Sequence, residues 1–195
     1  MPRKKGQRGE AILQALAEML ESERGQRITT ASLAAKIGVS EAALYRHYPS
    51  KAKIFEELII FAEETIFGLA GQVSRSNARC EEQVKNILTG VLVFFERNPG
   101  ISALLSGEAL SGEDKRLRLR VCQLFDRLET QLKQIMRKAE HEEHFRLKIP
   151  LTSCANLFMA VIEGRLAQYV RSDFDKLPSD GWDLQWGFLI GHAFL

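Results

Sequence analysis

No run in the 195 residues approaches the roughly 18 consecutive apolar residues of a membrane-spanning helix. A helical membrane protein is therefore not expected. The basic opening, Arg3, Lys4, Lys5 and Arg8, leads into "AILQALAEMLESE", an amphipathic stretch with acidic residues rather than a signal-peptide core. Cysteine is scarce. Cys80, Cys122 and Cys154 are odd in number, far apart and each set in an apolar-periodic segment. That pattern predicts buried free thiols in a reducing cytoplasm, not disulfides or metal ligands. Also missing are a Gly-rich phosphate loop, a nucleophile elbow and paired acids in an apolar setting, so neither an enzyme nor a cofactor is expected. His141 and His144 in "HEEH" share a helix-face spacing, but no third ligand accompanies them and no metal is expected.

The charge is modest in total, at +2, but uneven. Residues 1–60 hold ten Lys/Arg against seven Asp/Glu, while 61–195 hold seventeen against eighteen. A cationic excess at the N-terminal end suits a partner that carries phosphate.

Alternating strand patterns, internal repeats and low-complexity tracts are absent too, and helical periodicity runs through the chain. Ile12, Leu13, Leu16, Met19 and Leu20 form one stripe over residues 8–23, ended by Gly25. In "TTASLAAKIG", Thr30 is the expected N-cap and Gly38 the stop. Ser40 then caps "EAALYRHY", Pro49 ends it, and Ser50 caps a longer helix through Ile54, Leu58, Phe61 and Thr65. Further helices are expected in "CEEQVKNILTGVLVFFERN", in "ISALLSGEAL", over 115–140 and over 151–171. A last one carries Leu184, Trp186, Phe188 and Phe194. The helix over 151–171 is apolar on so much of its circumference that both sides should be covered. The expected architecture is all-α, with a small head over residues 1–48 and a larger helical body over 49–195.

Three helices in so short a head, with "IGVS" turning between the second and third, fit a helix-turn-helix. Its second helix would enter the major groove by its N-terminal end, here Ser40, Glu41, Ala42 and Ala43. Small alanines allow close approach and can meet thymine methyls, and Glu41 can accept from a cytosine amino group or discourage wrong sequences. Leu44 points to the core. Tyr45, His47, Tyr48 and Lys51 are expected on phosphates, and Thr29 and Thr30 at a helix start suit a phosphate as well.

"TTASLAAKIGVSEAALYRHYPSKAKIF" resembles the DNA-binding head of the tetracycline-repressor (TetR) family. The resemblance places Thr29, Thr30, Ser40, Ala42, Tyr45, His47 and Lys51 at DNA-facing positions. It implies a two-fold homodimer formed chiefly by the last two long helices, here through Leu157, Phe158, Val161, Ile162, Tyr169 and Trp186. Dimeric heads read half-sites of a palindrome about 34–36 Å apart or a multiple of that. "QRITTASLAAKIGVSEAALYRHYPSK", "FERNPG" and "EGRLAQYVRSDF" resemble more narrowly the nucleoid occlusion branch of that family, spanning nearly the whole chain. Members of that branch sit on chromosomal sites and restrain FtsZ, the tubulin-like division GTPase. The resemblance implies an FtsZ surface at Phe61, Arg97, Asn98 and Pro99, a nucleoid-associated cytoplasmic protein, and loading as dimers or higher-order assemblies. The alternative function is a TetR-type repressor that a small apolar ligand in the body releases from DNA.

Overall fold

The computed structural model describes residues 7–110, 112–142 and 146–193. The early basic residues Arg3, Lys4 and Lys5, together with His144 and Phe194, lie outside this set. Nine α-helices occur among the described residues: α1 (Gln7–Ser22), α2 (Thr30–Ile37), α3 (Glu41–His47), α4 (Lys51–Ser74), α5 (Cys80–Arg97), α6 (Pro99–Leu105), α7 (Lys115–Glu142), α8 (Leu151–Arg171) and α9 (Trp182–Ala193). A short 3-10 turn, Glu108–Leu110, separates α6 from α7. The all-α expectation holds, and the helix ends follow the caps and breakers in the chain.

Packing divides the chain into two compact units, Met1–Ala62 with Asn98–Val121, and Glu63–Arg97 with Cys122–Leu195. The first contains the expected head of residues 1–48 and extends beyond it. α1 buries the predicted stripe of Ile12, Leu13, Leu16, Met19 and Leu20, and α6 returns from mid-chain to lie against it. Gly100 makes that approach possible: a Cβ added there would stand 1.9 Å from the Ala17 carbonyl oxygen.

The second unit is centred on α5 and α8. Val84, Ile87, Leu88, Val91 and Phe95 of α5 are buried, as are Phe158, Ile162, Leu166 and Tyr169 of α8. Trp182 and Trp186 of α9 complete the core, and the Trp182 indole N–H donates to Thr89 Oγ1 at 2.8 Å. Arg165 is also buried here. Its guanidinium donates to the carbonyls of Pro178 and Asp180 and to the Gln185 side chain. It also lies 5.3 Å over the Trp182 ring. Burial pushes its pKa down, with Asp180 acting in the opposite sense.

Candidate nucleic-acid interface

The turn between α2 and α3 is built by backbone rules. Gly38 takes φ 74 and ψ 36, the left-handed conformation that glycine adopts without a Cβ clash. Its N–H and that of Val39 close back on the carbonyls of Ala35 and Ala34 at 3.1 and 3.0 Å, stopping α2. Ser40 is then extended, and its hydroxyl accepts from the Ala43 N–H at 3.2 Å, opening α3 as expected.

The cap of α2 lies one residue earlier than expected. Thr29, not Thr30, has the extended backbone of an N-cap, and it forms a capping box with Ser32, 3.0 Å in each direction. Thr30 is thereby released for a different partner. Its hydroxyl donates to Glu41 Oε2 at 2.6 Å, and the Tyr45 hydroxyl donates to Thr30 Oγ1 at 3.4 Å.

Along α3 the side chains sort cleanly. Glu41, Ala42, Tyr45, Arg46 and His47 are exposed, whereas Leu44 is fully buried. Tyr48 departs from the expected phosphate role. It is 6% exposed, and its hydroxyl donates to the Gly9 carbonyl at 3.2 Å, fastening the end of α3 to α1. Burial, aided by Glu57 and Glu10, pushes its pKa up to about 12. Nothing in the local pattern separates it from Tyr45, because its partner is 39 residues away.

Lys51 opens α4 and is half-buried. Its Nζ stands 2.5 Å from Glu113 Oε1 and 5.4 Å from the centre of the Phe55 ring. A phosphate contact from Lys51 therefore means exchanging one anion for another. Glu113 lies 62 positions away, where no local periodicity points to it. Lys51→Ala is expected to weaken every DNA sequence alike and to reduce the salt slope by about one. Glu113→Gln should act oppositely, strengthening binding to all sequences because the competing carboxylate is gone. Binding isotherms at several salt concentrations check both; effects of one sign for the two variants would rule out the competition.

The expected FtsZ positions have mixed environments. Phe61 on α4 is 44% exposed and Arg97 at the end of α5 is exposed, while Asn98 and Pro99, which start α6, are half-buried. The expected dimer set divides too. Leu157 is exposed and Val161 half-buried, but Phe158, Ile162, Tyr169 and Trp186 belong to the protomer's own core. Phe158 packs on Trp186 with ring centres 5.6 Å apart, and the Tyr169 hydroxyl donates to the Glu96 carbonyl at 3.3 Å. Outward apolar side chains come instead from Leu184 and Phe188 of α9, 84% and 66% exposed. The cysteine expectation needs one correction, since Cys80 and Cys154 are buried but Cys122 is exposed. His141 is exposed, and the described residues contain no group of three or more His, Cys, Asp or Glu placed to hold a metal. Nor is any helix among them long and apolar enough to cross a membrane.

Comparison with known proteins bears on both ends of the chain. Residues 12–58 match the family "Bacterial regulatory proteins, tetR family", and residues 79–193 match "Tetracyclin repressor-like, C-terminal domain", the SlmA-like form. The nucleoid occlusion factor SlmA of Marinomonas sp. (strain MWYL1) is 49% identical over 195 residues, covering 100% of this chain and 99% of the relative. SlmA of Shewanella amazonensis is 50% identical over 182 residues, 93% of this chain and 92% of the relative. Among solved structures, the fatty acid degradation regulator FadR from Bacillus halodurans superposes with a TM-score of 0.81 at 13% identity, covering 97% of each chain. The MbdR regulator from Azoarcus sp. CIB gives 0.78 at 17% identity, over 95% of this chain and 98% of that one. These two likenesses speak for the fold alone. With the helix-turn-helix geometry and the full-length relatives together, the chain belongs to the SlmA nucleoid occlusion factors of the TetR family.

Proposed function

We propose that the chain works as a homodimer on palindromic chromosomal sites and, from there, antagonises assembly of the FtsZ ring over the nucleoid. The observation that carries the DNA part is the sorting of α3. Its Leu44 is buried while Glu41, Ala42, Tyr45, Arg46 and His47 are exposed, behind a turn that Gly38 and Ser40 shape for a helix-turn-helix. The dimer reading is supported by Leu157, Leu184 and Phe188, large apolar side chains left exposed on α8 and α9. A second copy of the chain would remove that surface from water. The role is one of binding, exercised on the nucleoid in the cytoplasm.

For FtsZ, the support is the close likeness to nucleoid occlusion factors together with the exposure of Phe61 and Arg97. The repressor alternative calls for an enclosed apolar cavity in the body. The cleft beside Arg165, about 530 Å³, is of another kind: Gln168, Lys176, Asp180 and Gln185 stand in its open walls.

FtsZ pull-down with and without the DNA site tests the reading. Arg97→Glu is expected to lower FtsZ capture about tenfold or more, because it reverses a charge on the proposed surface. DNA affinity should stay at its wild-type value. FtsZ capture that survives this reversal would remove Arg97 from the surface.

A further inference from the structure

Thr30, Glu41 and Tyr45 form a short relay on the exposed face of the helix-turn-helix. Tyr45 donates to Thr30 at 3.4 Å, and Thr30 donates to Glu41 Oε2 at 2.6 Å. The second distance is in the range of charge-assisted bonds from a hydroxyl to a carboxylate. A threonine hydroxyl has one proton. Thr30 gives it to Glu41, so its side chain has none left for a phosphate. Glu41, the first residue of α3, is thereby held from α2, the other helix of the motif.

A carboxylate can only accept, and the DNA backbone offers anionic acceptors. On a surface that meets phosphates, a fixed Glu41 opposes binding unless it meets a donor. The major groove has two such donors, the cytosine N4 and adenine N6 amino groups. Adenine places its N7 acceptor beside the amino group, where it would face the carboxylate. Cytosine places no second acceptor there.

We propose that Thr30 is a positioning residue that holds Glu41 as a cytosine-selecting carboxylate, one that also weakens binding to every sequence lacking that amino group. The proposal rests on α3 being the groove-reading helix. It gives Thr30 a task different from the phosphate contact expected of it, and it makes Glu41 a source of specificity more than of affinity.

The test starts from a palindromic duplex selected by the wild-type protein from a random pool. Binding is measured at one salt concentration to that site, to the site with each base pair changed in turn, and to an unrelated duplex. Glu41→Gln is expected to bind the unrelated duplex more tightly. Its preference for the selected site should fall about tenfold, with the lost discrimination confined to one C·G pair in each half-site. Thr30→Val keeps the charge but frees the carboxylate. It should lose affinity for the selected site severalfold while binding the unrelated duplex as before. If the bond merely ties two helices together, both variants lose affinity for all duplexes in parallel, and the proposal is overturned. Wild-type discrimination in Glu41→Gln overturns it as well. A wild-type protein that selects no site would instead overturn the DNA reading beneath it.

Discussion

Gly100→Ala is expected to destabilise the fold by about 3 kcal/mol or more, at the upper end for overpacking a tight contact. The added Cβ would meet Ala17 backbone, with the carbonyl oxygen at 1.9 Å and its carbon at 2.8 Å. A side chain in that position could rotate away; a helical carbonyl cannot. α6 would have to lift from α1, opening the packing around Leu16 and Leu104, both fully buried. For a chain of this size each kcal/mol lowers the melting temperature by about 2–4 °C, so a fall of about 6–12 °C is expected. Thermal unfolding at fixed protein concentration measures it. A change of the size seen at exposed positions, within about 0.5 kcal/mol, would mean that the two helices separate at little cost. The result also bears on any mutational survey of "ERNPG". Arg97 is exposed and can be altered for its surface chemistry, but Gly100 is a packing residue, and its loss would imitate a lost partner site.

Removing the guanidinium of Arg165 should be of similar size. Arg165→Ala takes away the donors that hold the carbonyls of Pro178 and Asp180 and the Gln185 side chain. It also leaves a void 5.3 Å above the Trp182 ring. Bonds from a charged donor are worth about 1.5–3 kcal/mol each, and the buried Pro178 carbonyl left without one loses its desolvation energy as well. A net loss of about 3 kcal/mol is expected. Arg165→Lys should restore little, because a single ammonium cannot reproduce the planar fork that reaches several acceptors. Calorimetric melting of both variants at one concentration, with DNA binding measured beside it, decides the matter. The head lies in the other compact unit, so the DNA affinity of folded Arg165→Ala should be unchanged. Full rescue by lysine would show that charge alone matters.

Neither Gly100 nor Arg165 stood out in the sequence, because each acts on a backbone carbonyl outside its own helix. Periodicity and caps placed the helices well. Ser40 caps α3, Gly38 stops α2 in the left-handed conformation, and α8 runs over the expected 151–171. Such signals are local, encoded within a turn or two of the residues they govern. Long-range partners leave no such trace. Tyr45 and Tyr48 look alike in "LYRHY", yet one is 46% exposed and the other is sealed against Gly9. Lys51 reads as a free cation until Glu113 is seen beside it. The apolar circumference of α8 suggested cover on both sides, but within the protomer one face of the helix stays exposed. It could not say which residues the protomer covers itself, as with Phe158 and Ile162, and which stay outward, as with Leu157. The cap of α2 was placed one residue late because two threonines stand together, and it is the extended backbone and the bonds with Ser32 that single out Thr29.

The carboxylate that Thr30 holds at the start of α3 has a consequence at the scale of a chromosome. A DNA-binding protein spends its existence among roughly a million or more competing sites, so occupancy depends on the ratio of right to wrong affinities. A negative charge fixed on the reading edge shortens each stay at a wrong site. Fewer molecules are then stranded along the genome, and the same cellular supply fills more of the sites that matter.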